Sequence, residues 1–354
     1  MPQVTSSWWQ GRTRWGQAWL GRALVLALAC TSMTTACSGA QPLSGAQTPS
    51  GAQTPSSAGA STPGGSPTSA TATSPSATSQ TPTPTQTAPP LELPRGGRQI
   101  FPAYRLVGFS GAPNSPALGR LGIGDLDDRV FEIEKVGSAY ANGRAVLPVL
   151  ELITTVVDGH PGPDGLYRHR QSPEVIRTYL EAARRHKALL LLNIQPGRAH
   201  FMDEVKAYEP WLREPDVGVA LDPEWAVGPG QVPGRVFGRT TGAELDAVAA
   251  YLSALVAKEG LPEKVMVYHQ LHTSIVRTPS GLRAHPGVAL VASVDGIGSP
   301  ADKTATWKKV IGVTPKVVHP GFKLFYVEDR QHGPLMTPAQ VLALKPTPEY
   351  VLYE

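Results

Sequence analysis

Val217-Gly218-Val219-Ala220-Leu221-Asp222-Pro223-Glu224-Trp225 runs from small and β-branched residues into two acids two positions apart. A short apolar run of this kind reads as a strand buried on both faces, the habit of parallel sheets. Alternate side chains of a strand share a face, so Asp222 and Glu224 are expected together at its C-terminal end. Carboxylates are seldom left inside a core, and a pair at that place predicts a solvent-filled pocket.

The same pattern recurs on either side. Strand-like runs occupy Tyr104 to Phe109, Ala145 to Glu151, Ala188 to Gln195, Val217 to Asp222, Lys264 to Gln270, Val288 to Asp295, Phe322 to Val327 and Glu349 to Tyr353. Helical patterns separate them at Asp127 to Tyr140, Pro173 to His186, Phe201 to Leu212, Ala243 to Lys258, Asp302 to Val310 and Pro338 to Leu344; only the link from the fifth strand to the sixth lacks one. Ser172-Pro173, Ser299-Pro300 and Thr337-Pro338 place a capping side chain before a first-turn proline. Alternating strands and helices mean parallel pairing through right-handed crossovers, and about 255 residues suit one eight-stranded barrel. The expected fold is therefore α/β, a single (β/α)8 barrel over 97–354. An open doubly wound sheet is the alternative, but no Gly-x-Gly-x-x-Gly turn follows the first strand. Long connections leave strands at Thr154 to Arg170, Ala226 to Thr241 and Leu271 to Gly287, whereas those entering strands are short, which puts the binding face at the strands' C-terminal ends.

Polar residues gather at those ends: Glu151, Asn193 and Gln195, Asp222 and Glu224 with Trp225, His269 and Gln270, and Asp295. Stability alone does not require a ring of polar groups on an apolar barrel, so together they are the candidate site. Tyr167, Tyr268 and Tyr326 are further aromatic candidates, with Tyr268 and Tyr326 read as core residues inside strands.

Two segments precede the barrel. Residues 1–37 carry Arg12, Arg14 and Arg22, then the apolar run Ala23 to Ala29, then small residues: the order of a secretory signal peptide. Residues 38–96 form a low-complexity Ser/Thr/Pro/Gly/Ala tract with the repeat Ser44-Gly45-Ala46-Gln47-Thr48-Pro49 and Ser50-Gly51-Ala52-Gln53-Thr54-Pro55, too poor in apolar residues to offset its ordering entropy, and are expected to be a disordered spacer. Both cysteines, Cys30 and Cys37, lie ahead of the barrel, which needs no disulfide. A formal charge of +4 is too small and too scattered to argue for a nucleic-acid partner, and three of the positive charges are leader arginines, so none is expected. No His-x-His, His-Glu-x-x-His or Gly-x-Ser-x-Gly occurs, and no cofactor or metal is expected.

Thr35-Ala36-Cys37-Ser38-Gly39 resembles a bacterial lipobox, which implies acylation of Cys37, with Cys30 as the other option, and anchoring at the outer face of a membrane. The Asp222-Pro223-Glu224 pair at the end of a fourth barrel strand resembles the catalytic strand of two glycoside hydrolase families, the chitinase-like family 18 and the lysozyme-like family 25. That resemblance implies Glu224 as general acid on the glycosidic oxygen and Asp222 as its supporter. The longer family 18 signature has further aspartates where Val217 and Ala220 stand, and family 25 has an Asp on strand one, where this chain has Gly108-Phe109-Ser110. The ordered strand ends also resemble those of uncharacterised secreted bacterial lipoproteins.

Without the resemblance the logic is similar: glycosidic cleavage asks for one protonated and one ionised carboxyl, and neighbouring acids raise each other's proton affinity. Glu224, between Pro223 and Trp225, is expected to be the less solvated of the pair. The expected activity is an extracellular glycan-processing hydrolase, a monomer whose partner is a carbohydrate or cell-wall polymer. Two alternatives stay open: metal-dependent phosphodiester or amide hydrolysis by Glu151, Asp222, Glu224, His269 and Asp295, and a lipoprotein that binds a glycan without cutting it.

Overall fold

A computed structural model of the protein describes residues 90–354. The leader, Cys30, Cys37 and the low-complexity tract through residue 89 lie outside the described residues. Eight strands pair in parallel: β1 (Tyr104–Gly111), β2 (Ala145–Val157), β3 (Leu189–Ile194), β4 (Val217–Leu221), β5 (Lys264–Gln270), β6 (Val288–Val294), β7 (His319–Leu324) and β8 (Tyr350–Tyr353). β1 pairs with β2 at Ser110↔Glu151 and with β8 at Phe109↔Tyr353, so the sheet closes on itself as the expected (β/α)8 barrel.

Around it run α1 (Leu126–Ser138), α2 (Pro173–Arg185), α3 (Phe201–Ala207), α4 (Glu209–Leu212), α5 (Gly242–Glu259), α6 (Pro300–Ile311) and α7 (Pro338–Leu342). Their starts follow the capping signals. The Ser172 hydroxyl accepts from Val175 N, and Ser299 with Asp302 and Thr337 with Gln340 form capping boxes. The single helix expected over Phe201 to Leu212 is two, because Pro210 has no N–H to continue the ladder. No α-helix follows β5. Its long loop is instead stitched to α5 by Asp246, which accepts from Arg283 N (3.0 Å) and meets His285 Nε2 (2.8 Å).

The period-2 alternation of the strands divides the core. Outward residues such as Val107, Phe109, Leu150, Leu192, Val219, Met266, Leu290 and Val351 pack against the helices. Inward residues, among them Leu106, Leu147, Val149, Leu191, Ala220, Val267, Val291 and Leu352, fill the barrel's lower half. Glycines make room there: a Cβ at Gly108 would lie 2.4 Å from Val149 O, and one at Gly218 2.6 Å from Val265 O.

Three further spans differ from expectation. β2 runs on to Val157, because the β-branched Thr154, Thr155, Val156 and Val157 suit a strand and pair with antiparallel Arg168–Arg170 rather than forming a loop. β7 ends at Leu324 instead of Val327, which leaves Tyr326 beyond the strand. The packed chain begins ahead of Gly97: Leu93 (2% exposed) and Ile100 (0%) join the lower interior cluster, and Arg95 Nη1 donates to Val146 O at 3.0 Å.

Candidate active site

The inward register that is apolar below becomes polar at the C-terminal ends. Continuing each strand's inward parity upward gives Ser110, Glu151, Asn193, Asp222, His269, Ser293, Lys323 and Glu354, one from each strand or the residue after it. Gln195 and Asp295 add a second tier on β3 and β6. Burying charge in this way costs several kcal/mol per ion unless each finds a partner.

Most do. Asn193 Nδ2 donates to Glu151 Oε1 (3.0 Å) and Asp222 Oδ1 (3.1 Å), and Gln195 Nε2 donates to Asp222 Oδ2 (3.3 Å). Tyr350 OH rises from the lower interior to donate to Glu151 Oε2 at 2.8 Å. His269 sits among three carboxylates: Nδ1 is 2.6 Å from Asp295 Oδ2, and Nε2 is 2.9 Å from Glu151 Oε1 and 3.6 Å from Asp222 Oδ1. The Nε2–Glu151 approach is an ionic contact rather than an aligned hydrogen bond. Ser293 Oγ donates to Asp295 Oδ1 (2.7 Å), and Lys323 Nζ lies 3.7 Å from Asp295 Oδ2 and 2.7 Å from Glu354 Oε2.

Charge states follow from these contacts. Burial opposes a charge on His269, but Asp295, Glu151 and Asp222 together raise its proton affinity well above that of a free imidazole. Lys323 is likewise held as a cation against burial by Glu354 and Asp295. Burial would raise Glu151 and Asp295, yet His269 and Lys323 outweigh it and hold both below the usual carboxylate range. Asp222 is raised, chiefly by burial, with His269 and Lys323 opposing.

Glu224 is different. It lies on a 3₁₀ turn, Pro223–Trp225, because β4 ends at Leu221, so the turn and not strand alternation brings it beside Asp222. Burial and the charges of Asp222 and Asp295 push its pKa up to about 8. Its Oε2 is buried without a hydrogen-bond partner among the described residues. The pair is equally secluded, Asp222 at 5% and Glu224 at 7% exposed, so donor supply and not solvation separates them. The open, water-filled setting expected around these acids is also corrected: they belong to a largely buried polar layer, in which Gln195 Oε1 accepts from Val157 N of the extended β2 (3.2 Å).

The structure thus brings together Glu151, Asn193, Gln195, Asp222, Glu224, His269 and Asp295. Gln270 stays outside: it pairs in register with the outward Val294 and gives its amide to His272 O (3.1 Å). Trp225 is half-exposed beside Glu224. Tyr167 has one ring face covered by the Arg198 guanidinium at 4.2 Å, and Tyr268 points into the helix layer. Sequence reasoning missed Ser110, Ser293, Lys323, Tyr350 and Glu354. Glu354 carried the same signal as the others, an acid directly after a strand, and Lys323 a detectable one, a cation between the apolar Phe322 and Leu324. Among the described residues no three His, Cys, Asp or Glu side chains are arranged to hold a metal ion.

The sequence matches no known protein-family model, and a search of curated proteins returns no match. Among solved structures, a hyperthermophilic endo-β-1,4-glucanase in complex with substrate is similar over 70% of this chain and 87% of its own length, with 8% identity and a TM-score of 0.39.

Proposed function

We propose that the polar end of the barrel is the active site of a glycan-processing hydrolase, with Glu224 as general acid and Asp222 as the carboxylate that supports the reacting carbon. One observation carries this reading: Glu224 is buried beside Asp222 and Asp295, which pushes its pKa up to about 8, and one of its carboxyl oxygens has no hydrogen-bond partner among the described residues. A carboxylic acid in that state can protonate a leaving glycosidic oxygen at neutral pH. Asp222, oriented by Asn193, Gln195 and His269, then faces the positive charge that develops at the anomeric carbon. His269 and Lys323 offset the negative charge of Glu151 and Asp295, so the layer can be buried without taking the proton from Glu224.

A panel of labelled cell-wall and plant polysaccharides, incubated with the wild type and Glu224→Gln, tests the assignment. Product from the wild type alone is expected; equal product from both, or none from either, overturns it. The reading includes export and attachment to the outer membrane face through a lipid on Cys37. Incorporation of a fatty-acid label that disappears in Cys37→Ser is the matching test, and label retained in that variant would move the modification to Cys30 or reject it.

A further inference from the structure

At the same end of the barrel, a cavity of about 330 Å³ opens between the loop after β1 and the loop after β7. Its walls include Arg120 and Glu132, Tyr326 and Arg330, and Glu354. The size falls in the range of small-molecule sites.

The wall chemistry narrows the ligand. Arg120 forks onto Glu132 (Nη2 to Oε2, 2.9 Å), Glu354 is paired with Lys323, and the remaining two charges of the wall, Glu328 and Arg330, are of opposite sign. With its charges balanced, the wall offers an ion little net field. The paired groups nevertheless keep spare capacity, since a carboxylate has about four lone-pair directions and a guanidinium five N–H donors. Between them stands Tyr326, stacked by one face on Tyr353 (5.0 Å, 24°), with the exposed Arg330 guanidinium 5.9 Å from its ring and Val327 60% exposed at the rim. Alternating donors and acceptors around a flat aromatic ring match a neutral, polyhydroxylated ring better than an anion or an apolar molecule.

We propose that this cavity is a subsite for a neutral pyranose unit that takes the place of the exposed Arg330 guanidinium over the Tyr326 ring, with Tyr326 as its platform and Glu132 and the displaced Arg330 as hydroxyl partners. The proposal rests on the glycan reading above and extends it. Glu354 belongs both to the cavity wall and, through Lys323, to the charged layer around Asp295, so cavity and acids share one ion pair.

The test is an NMR titration of the full chain with cellotetraose, chitotetraose and mannotetraose, and with tetragalacturonate as the anionic counterpart, following the Tyr326 ring signals and, in all variants, the backbone amide signals of Val327, Glu328 and Arg330. At least one neutral oligosaccharide should move them saturably, with tetragalacturonate roughly tenfold weaker or more, a difference of about 1.4 kcal/mol. Tyr326→Ala should weaken binding about tenfold, and Arg330→Ala, which removes an exposed side chain and leaves the core intact, about threefold. No movement with any neutral oligosaccharide, tighter binding of tetragalacturonate, or both variants binding like the wild type would overturn the proposal. Glu224→Gln separates the two claims. Saturable binding at Tyr326 with no Glu224-dependent turnover would keep the subsite and remove the acid, whereas turnover without binding there would do the reverse.

Discussion

Two glutamates near the C-terminal face of the barrel are both hidden from water and differently supplied. Glu204, 0% exposed, is gripped by Arg168 Nε (2.9 Å), Arg170 Nε and Nη2 (2.8 and 2.9 Å) and Thr155 Oγ1 (3.2 Å). Glu224 has a carboxyl oxygen without a hydrogen-bond partner among the described residues. The first is a fastener: it ties the ribbon of β2 and Arg168–Arg170 to α3. The second is stored as an acid. Burial alone does not mark a functional carboxyl, and the marker is the donor the fold withholds.

The largest expected effect falls on Glu224. If it is the proton donor, Glu224→Gln should lower turnover by about 10²–10⁴-fold while the folded protein persists. Loss of stability comparable to that of a Glu204 variant would break the contrast. Glu204→Ala should cost about 3–5 kcal/mol in urea unfolding, because two arginines lose their carboxylate.

A subtler test uses pH. Native Glu224 holds its proton to about 8, whereas an unfolded glutamate releases it near 4.5. Across that window the unfolded chain binds fewer protons, so Glu224 makes stability fall as pH rises. Melting curves of wild type and Glu224→Gln should therefore diverge from pH 4.5 to 8 in the variant's favour, by on the order of a few kcal/mol at most. A constant difference would place Glu224 among ordinary carboxylates. Tyr350→Phe, which removes one hydrogen bond to the buried Glu151, should cost about 1.5–3 kcal/mol by the same measurement. Glu132→Gln, which breaks a half-exposed pair with Arg120, should cost less than about 1 kcal/mol.

The architecture was legible because it is written in local periodicity: short apolar runs, capping residues ahead of prolines, long loops on one side only. The site was legible where strand ends were. Misreadings came from places where local signals and tertiary context diverge. Placing the end of β7 at Val327 put Lys323 near the strand's start rather than its top, and so hid its role. Tyr350 looked like any core tyrosine, since nothing in Tyr350-Val351-Leu352-Tyr353 shows that its hydroxyl reaches a carboxylate of β2. The alternation argument placed Glu224 beside Asp222 for an incorrect reason, because Pro223 ends the strand and a turn completes the approach. Which acid keeps its proton depends on the donors and cations around it, contributed by β3, β5 and β7, and no single stretch of sequence carries that.

The segment holding Leu93 and Ile100 closes the bottom of the barrel, at the end opposite the carboxylates. An attachment made ahead of Pro90 would therefore take hold of the underside. Fixed to any support by that end, the domain would turn the polar ends of its strands away from the support, whichever way the rest of it faced.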